Sequence, residues 1–484
     1  MSGKNEQNHK HSEHKIINEY KHDFQESTHK PEAGDTRSSF SNRIGFVLAA
    51  AGSAVGLGNI WRFPYLAAKY GGGSFLIVYL LLVISFGFTL MVTEIALGRK
   101  TGKSAIQAFS MLQHKWGFVG IICAAIPIII TPYYCVIGGW VAKFFVAFVT
   151  GQGTASAADG YFNNFIGGTF SPLIWFVIYL ALTCVVVLLG VKDGIERASR
   201  ILMPLLIAFL IGITIYSFTM DGALEGIKFY FTPDLSKFTP ALFLAAMGQM
   251  FYSMSLAMGI MITYGSYMKK SDHIEASVKQ IEWFDTGVAM LAGLMIVPAV
   301  FAFSGGDENA VNAGPGMMFV TMPKMFTSMG ISGNIVGAIF FLLVLFAALT
   351  SSISLLETVV SIFADKLRIS RLKACIISFS LTFVLGVPSA LGFGKLSMIS
   401  IGGMSFLDMC DFITNSVLMP IVALLTCIFV GFVIKPSTVI SEIETNGIFK
   451  RKGLYIVFIK YVAPIMVLAI LISSVMNSLG LITL

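Results

Sequence analysis

Eleven stretches of this chain run for about twenty residues or more with few charges: 42–68, 73–98, 118–149, 171–190, 196–219, 240–268, 277–303, 333–364, 372–391, 405–434 and 454–480. About 20 apolar residues in a helix cross the ~30 Å hydrocarbon layer of a bilayer. Inside that layer each backbone polar group must find its partner within the protein, so runs of this kind are helices. Composition agrees, with 56% hydrophobic and only 12% charged residues, about half the charged share of soluble proteins. The expected class is an all-α polytopic membrane protein, with the lipid bilayer as its surroundings.

Lysines and arginines set the expected orientation. Arg37 and Arg43 precede the first run, and Arg99, Lys100 and Lys103 follow the second. Lys192, Arg197 and Arg200 lie between runs four and five, and Lys269 and Lys270 follow the sixth. Lys366, Arg368, Arg371 and Lys373 follow the eighth, and Lys435, Lys450, Arg451 and Lys452 follow the tenth. All fall on one side, which the positive-inside rule makes cytosolic. The N-terminus is then cytoplasmic, and an odd number of crossings places the C-terminus outside, at the cell (plasma) membrane. The net charge of +7 belongs to these inner loops and does not point to nucleic acid.

Other classes find little support. The six cysteines sit singly in apolar runs without a CxxC pair, which argues against a disulfide framework or zinc site. No nucleophile–base pair, metal triad or phosphate loop suggests an enzyme. Residues 1–36 are polar and carry five of the seven histidines. They lack the apolar core of a signal peptide and read as a disordered cytosolic tail. Their histidines have no regular ligand spacing, which disfavours metal binding there.

Two runs are interrupted. In the first, Gly52-Ser53-Ala54-Val55-Gly56-Leu57-Gly58-Asn59 stands between apolar helix on both sides, where each glycine costs roughly 0.5–1 kcal/mol relative to alanine. The sixth contains Gly248 to Gly259, small and polar in mid-run. Loose backbone at membrane depth is tolerated where it lines a cavity or is covered by protein. Freed carbonyls there suit a cation and a half-helix N-terminus suits an anion. A small-residue seam for tight helix packing is the competing explanation. Runs one and six hold corresponding places in two five-run halves. An odd-numbered repeat inserts with opposite topology, so the halves are expected to be inverted repeats with their site at the paired breaks. The expected boundaries are a tail over 1–36, a first repeat over 37–219, a second over 220–434 with an outer loop at 304–332, and the eleventh crossing with the C-terminus over 435–484.

Arg43-Ile44-Gly45-Phe46 and Ala51 to Tyr65, followed by Gly71-Gly72-Gly73-Ser74-Phe75 and Glu94 to Arg99, resemble the neurotransmitter:sodium symporter signature. Tyr133-Tyr134, the interrupted sixth run and Leu349-Thr350-Ser351-Ser352 continue the resemblance. It covers nearly the whole chain from Arg37 and is nearest to bacterial eleven-span amino-acid transporters. It implies a LeuT-type 5+5 inverted repeat with discontinuous helices 1 and 6, and sodium-coupled uptake of an amino acid or related amine by alternating access.

Site residues follow from the same resemblance. A first sodium ion would be held by Ala54, Asn59, Ser253 and Asp285 with the substrate carboxylate, and a second by Gly52, Val55, Ala347, Thr350 and Ser351. Such oxygen donors suit a hard cation, although serines and threonines in membrane helices commonly bond their own backbone. Asp285, an ionisable residue within a run, is functional by default, and it stands where chloride-dependent relatives carry asparagine. Chloride independence is therefore expected. Gly56 stands where monoamine transporters carry aspartate, which leaves room for an α-amino acid carboxylate near Leu57, Gly58 and Tyr134. The amine would meet Ala54, Tyr252, Ser253 and Ser255, with Ser53 in the same break. Ile130, Tyr252, Met258 and Leu355 would line a side-chain pocket for a neutral, hydrophobic or aromatic L-amino acid, with the methyl of Ala257 shrinking it. Arg62 would close the outer side with Asp411, or Asp408 one turn earlier. Arg37 and Asp365 would close the inner side with Tyr267 in support. Gly194 and Pro204 would mark a segment of helix 5 that unwinds. A monomer suffices for this function, and an oligomer is compatible with it. The alternatives are a symporter for a small amino acid or osmolyte, or a sensor that binds without transporting.

Overall fold

The computed structural model describes residues 38–305, 314–400 and 403–478. The expected tail, Arg37 and the last residues lie outside this range. The first crossing is α1 (Arg43–Ala54) and α2 (Gly58–Lys69), which meet at a 55° bend. Asn42 caps α1, its side chain accepting the Gly45 N–H at 2.9 Å, as short polar residues do at exposed amides. Val55 ends α1 by turning extended (ψ 99°).

Four continuous crossings follow: α3 (Gly73–Thr101), α5 (His114–Val149), α6 (Phe170–Leu188) and α7 (Val191–Ser217). Between α3 and α5 lies a short helix, α4 (Ala105–Leu112). Helix α8 (Ala223–Phe231) leads toward the second broken crossing, α9 (Pro240–Ser253) and α10 (Ile260–Ser266). Thr239 caps α9 through the Leu242 N–H, and Pro240 occupies its first turn, where a missing N–H costs nothing. Then come α11 (Ile274–Ser304), α12 (Met322–Ser328), α13 (Ile331–Leu367), α14 (Arg371–Leu391), α15 (Phe406–Val433), α16 (Pro436–Ile443) and α17 (Lys452–Asn477).

Among the described residues nine helices are long and apolar enough to cross a membrane, and α1/α2 adds a bent crossing. The crossing expected at 240–268 is α9 with α10, each too short to span alone. The architecture is the expected two sets of five crossings, each opening on a broken one, with α17 outside both. The stretch expected as an outer loop at 304–332 is partly helical: π-turns at Met317–Thr321 run into α12. Its short apolar face packs beneath α13 and falls below the length of a spanning run.

The turn between α2 and α3 is clamped onto α8. Gly72 (φ 48°) forms an isolated antiparallel bridge with Pro233, and a β-carbon on it would lie 2.1 Å from the Phe229 carbonyl oxygen. Only glycine fits. The Ser74 hydroxyl then donates to the Asp234 carbonyl and accepts its N–H, both at 2.8 Å.

Candidate functional site

The two breaks face one another across a small chamber. On one side Val55, Gly56 and Leu57 carry the chain from α1 into α2. On the other, Met254 to Gly259 separate α9 from α10, with Ser255 (φ 53°), Ala257 (φ 61°) and Gly259 (φ 75°) in the left-handed region. The chamber is lined by Ser53, Ala54, Gly56, Leu57, Gly58, Asn59, Ile130, Tyr134, Tyr252, Ser253, Ser255, Met258, Ile260, Ser351 and Leu355. Every residue expected to touch substrate is present except Ala257. That residue is buried but not among the lining, because its backbone turns toward α3 and α5: its N–H donates to Glu94 at 2.6 Å, and its carbonyl accepts from the Cys123 thiol at 3.7 Å. Asn59, Ile260 and Ser351 complete the wall.

Close approach explains two glycines of the first break. A β-carbon on Gly56 would lie 2.8 Å from the Ser351 hydroxyl and 3.1 Å from that of Tyr134, and one on Gly58 would lie 2.7 Å from the Tyr252 ring. The Leu57 N–H donates to the Tyr134 hydroxyl at 3.4 Å. An amide donor and a phenol thus meet at the start of α2, the end of a helix that favours negative charge.

Asp285 sits beside this wall, fully buried. Its carboxylate accepts from Asn59 Nδ2 at 2.7 Å, from the Ser253 hydroxyl at 3.0 and 3.1 Å, and from the Tyr79 hydroxyl at 3.5 Å. Asn59 Oδ1 in turn accepts the Gly56 N–H at 3.1 Å. A buried carboxylate with no basic partner among the described ion pairs carries a desolvation cost that these donors offset only in part. A cation would offset the remainder. Tyr79, from α3, was not anticipated, since nothing in its sequence context distinguishes it from a core tyrosine.

The second oxygen set is also assembled. The Ser351 hydroxyl donates to the Ser53 and Val55 carbonyls at 3.1 and 3.3 Å. The Thr350 hydroxyl donates to the Phe346 and Ala347 carbonyls, both at 3.1 Å. A β-carbon on Gly52 would lie 3.2 Å from Thr350 Cβ. Helix α13 thus brings its hydroxyls against the end of α1. Both sets consist of hard oxygen donors of the kind sodium prefers.

The chamber holds about 30 Å³, whereas a vestibule beyond it holds about 270 Å³. The vestibule is lined by Arg62, Asp408 and Asp411 among others. Among the described residues no ion pair joins Arg62 to either acid. The Arg62 guanidinium lies over the Tyr252 ring, 5.6 Å from its centre. Asp411 instead accepts from Tyr133 at 3.0 Å and Asn415 at 2.6 Å, and Asp408 from the Ser405 hydroxyl at 2.7 Å. The expected outer pair is thus brought to one vestibule without closing it.

The opposite side is plugged by aromatic rings. Phe40 is fully buried and packs edge-on against Phe46, Tyr264 and Tyr267, at centre distances of 5.6, 5.7 and 6.2 Å. Asp365 accepts the Ser104 N–H at 2.7 Å, and Lys103 approaches it at 3.9 Å. The Tyr267 hydroxyl donates to Glu357 at 2.7 Å, and Glu357 pairs with Arg371 at 2.5 Å. Its supporting role toward Arg37 involves a residue outside the described range. The Glu357–Arg371 pair joins an acid inside the eighth run to a base that flanks the ninth, and nothing in the sequence links the two. Gly194 lies in π-turns over Val191–Glu196 and Pro204 within the α-helix that follows, so α7, the fifth crossing, is wound throughout in this conformation.

Paired broken crossings around a chamber of oxygen donors define a secondary transporter built on inverted repeats. The chain belongs to the sodium:neurotransmitter symporter family, whose family model matches residues 37–163 and 167–481. It is 36% identical over 443 residues to the sodium-dependent transporter YhdH of Bacillus subtilis, covering 90% of this chain and 97% of that one. It is 34% identical over 454 residues to a sodium-dependent transporter of Haemophilus influenzae, covering 90% and 98%. The crystal structure of MhsT in complex with L-phenylalanine superposes with a TM-score of 0.81 at 38% identity, over 90% of this chain and all of that one. The protein is therefore a multi-pass, sodium-dependent transporter of LeuT-type fold and not an enzyme.

Proposed function

We propose that this transporter imports a neutral, hydrophobic or aromatic L-amino acid together with two sodium ions by alternating access, without chloride. The carrying observation is the chamber wall. Amide and phenol donors at Leu57, Gly58 and Tyr134 would take the carboxylate, and the apolar surfaces of Ile130, Met258 and Leu355 would take the side chain. The carbonyls of Ala54, Tyr252 and Ser253 with the Ser255 hydroxyl would take the amine. MhsT, with L-phenylalanine bound, lends support by analogy.

In this reading the first sodium joins Ala54, Asn59, Ser253, Asp285 and the substrate carboxylate. The second joins Gly52, Val55, Ala347, Thr350 and Ser351. Sharing one carboxylate makes the two affinities reciprocal, and each sodium gains ~2.3 kcal/mol per 100 mV of inside-negative potential. Asp285 supplies permanently the negative charge that chloride supplies elsewhere. Arg62 with Asp411 or Asp408, and Arg37 with Asp365, would close the two sides in turn, while unwinding between Gly194 and Pro204 would release the second ion inward. The N-terminus is cytoplasmic and the C-terminus extracellular.

Proteoliposomes with an inward sodium gradient should accumulate radiolabelled L-phenylalanine or a similar residue. The absence of sodium-dependent accumulation for every proteinogenic amino acid would overturn the proposal. A small amino acid or osmolyte is the second reading, favoured by the close approach of the chamber walls, where a β-carbon on Gly56 would lie 2.8 Å from the Ser351 hydroxyl. Competition by glycine or betaine, but not by aromatic amino acids, would select it.

A further inference from the structure

Glu94 lies in α3, two turns from its inner end, and only 3% of it is exposed. One carboxyl oxygen accepts the Ala257 N–H; the other, Oε2, is buried without a hydrogen-bond partner. The titratable groups set against it are the thiols of Cys123 from α5 and Cys427 from α15, whose ordinary form near neutral pH is uncharged. On and just after α10, the Tyr264 and Tyr267 hydroxyls are bonded to Ser354 and Glu357. No ion pair among the described residues reaches Glu94. A buried carboxylate with one bond and no cation is costly by several kcal/mol, whereas the neutral acid is not.

We infer that Glu94 is a proton-binding site whose occupancy is tied to the second break. The residue it holds, Ala257, and its neighbour Ser255 are both L-residues in left-handed backbone, a conformation costing ~1–2 kcal/mol each. The break therefore persists only while its surroundings hold it. With the break as it stands, the carboxyl keeps its proton. When α10 swings away and water enters, the proton passes from the Glu94 carboxyl to that water, and the resulting carboxylate is hydrated. By reciprocity a proton on Glu94 favours the shut inner side, and rising pH favours inward opening. Glu94 acts through Ala257 and touches neither substrate nor sodium, so it is a positioning residue. The idea rests on the transport reading above.

The test compares wild type with Glu94→Gln, whose amide oxygen still accepts the Ala257 N–H but which cannot release a proton. Maximal sodium-driven L-phenylalanine uptake is measured in proteoliposomes while internal pH is raised from about 6 to about 9. One linked proton changes the open-to-shut ratio by at most about tenfold per pH unit. Wild type should therefore vary several-fold over this range, and E94Q should stay flat within about twofold. Equal pH profiles in the two proteins, or a flat wild-type profile, would overturn the inference. Hydrogen exchange at residues 255–266 in the wild-type protein, corrected for intrinsic pH effects, gives a second arm that needs neither transport nor the variant. Protection there should fall as pH rises, and pH-independent protection would also overturn the inference. Failure of the transport reading would appear differently, as no sodium-driven uptake of any amino acid at any pH.

Discussion

The two broken crossings do the same job by different means. The first is brief and unstrained: three residues separate α1 from α2, and none of them has positive φ. Its loosened carbonyls and amides are met by side chains from elsewhere, with Ser351 on the Ser53 and Val55 carbonyls and Asn59 on the Gly56 amide. The second is longer and strained, with two non-glycine residues in left-handed backbone; Glu94 and Cys123 hold Ala257, and the Ser255 hydroxyl donates to the Ser53 carbonyl of the first break at 3.0 Å. An unstrained break suits the place where, in the proposed reading, ions and a carboxylate are gripped. A strained one suits a place where the chain can move, since strain persists only where surroundings enforce it.

That contrast can be broken most forcefully at Asp285. Asp285→Ala removes the shared anchor of Asn59, Ser253 and Tyr79, and taking one member from a buried charged set costs ~3–5 kcal/mol. Sodium-dependent uptake should fall at least about 100-fold, and sodium should no longer raise the melting temperature. Retained sodium-driven uptake would mean that this cluster is only scaffolding. Next comes Gly56→Ala, which places a methyl against Ser351 and Tyr134. Overpacking of ~1–3 kcal/mol should raise the KM for substrate roughly tenfold or more. Tyr134→Phe removes a single hydrogen bond worth ~1 kcal/mol and should raise KM about fivefold with little change in maximal rate.

On the strained side the sign reverses. Ala257→Gly relieves left-handed strain at a site outside the chamber lining, so calorimetry should show a gain of about 0.5–1 kcal/mol. A loss of stability there would show that the contrast between the breaks is misdrawn. The smallest effect is expected from the medium: replacing chloride by gluconate should leave uptake unchanged, and a strict chloride requirement would contradict the role given to Asp285.

Much of this was legible in the residues. Runs of twenty apolar residues announce crossings, and small or polar interruptions in two of them point to the chamber once the family resemblance is added, since a packing seam would use the same residues. The short helices α4, α8, α12 and α16 were not announced, since eight or so residues leave no such run. Ala257 was misplaced because its identity suggests a methyl in the pocket, while its left-handed backbone turns its amide and carbonyl toward Glu94 and Cys123. Arg62 and Asp411 are unpaired for a different reason: the guanidinium lies over the Tyr252 ring, and Tyr133 and Asn415 bond the Asp411 carboxylate. Glu357 with Arg371 was hidden because partners on separate helices leave no mark on their neighbours in sequence.

The clamp between Gly72, Ser74 and the 229–234 segment has its own mechanical meaning. It staples the far end of α2 to the strip of chain that feeds α9. The half-helices that bring Trp61 and Arg62, and Gly248 and Phe251, to the vestibule are thereby tied to each other away from it. A bulky residue at position 72 would push the two apart.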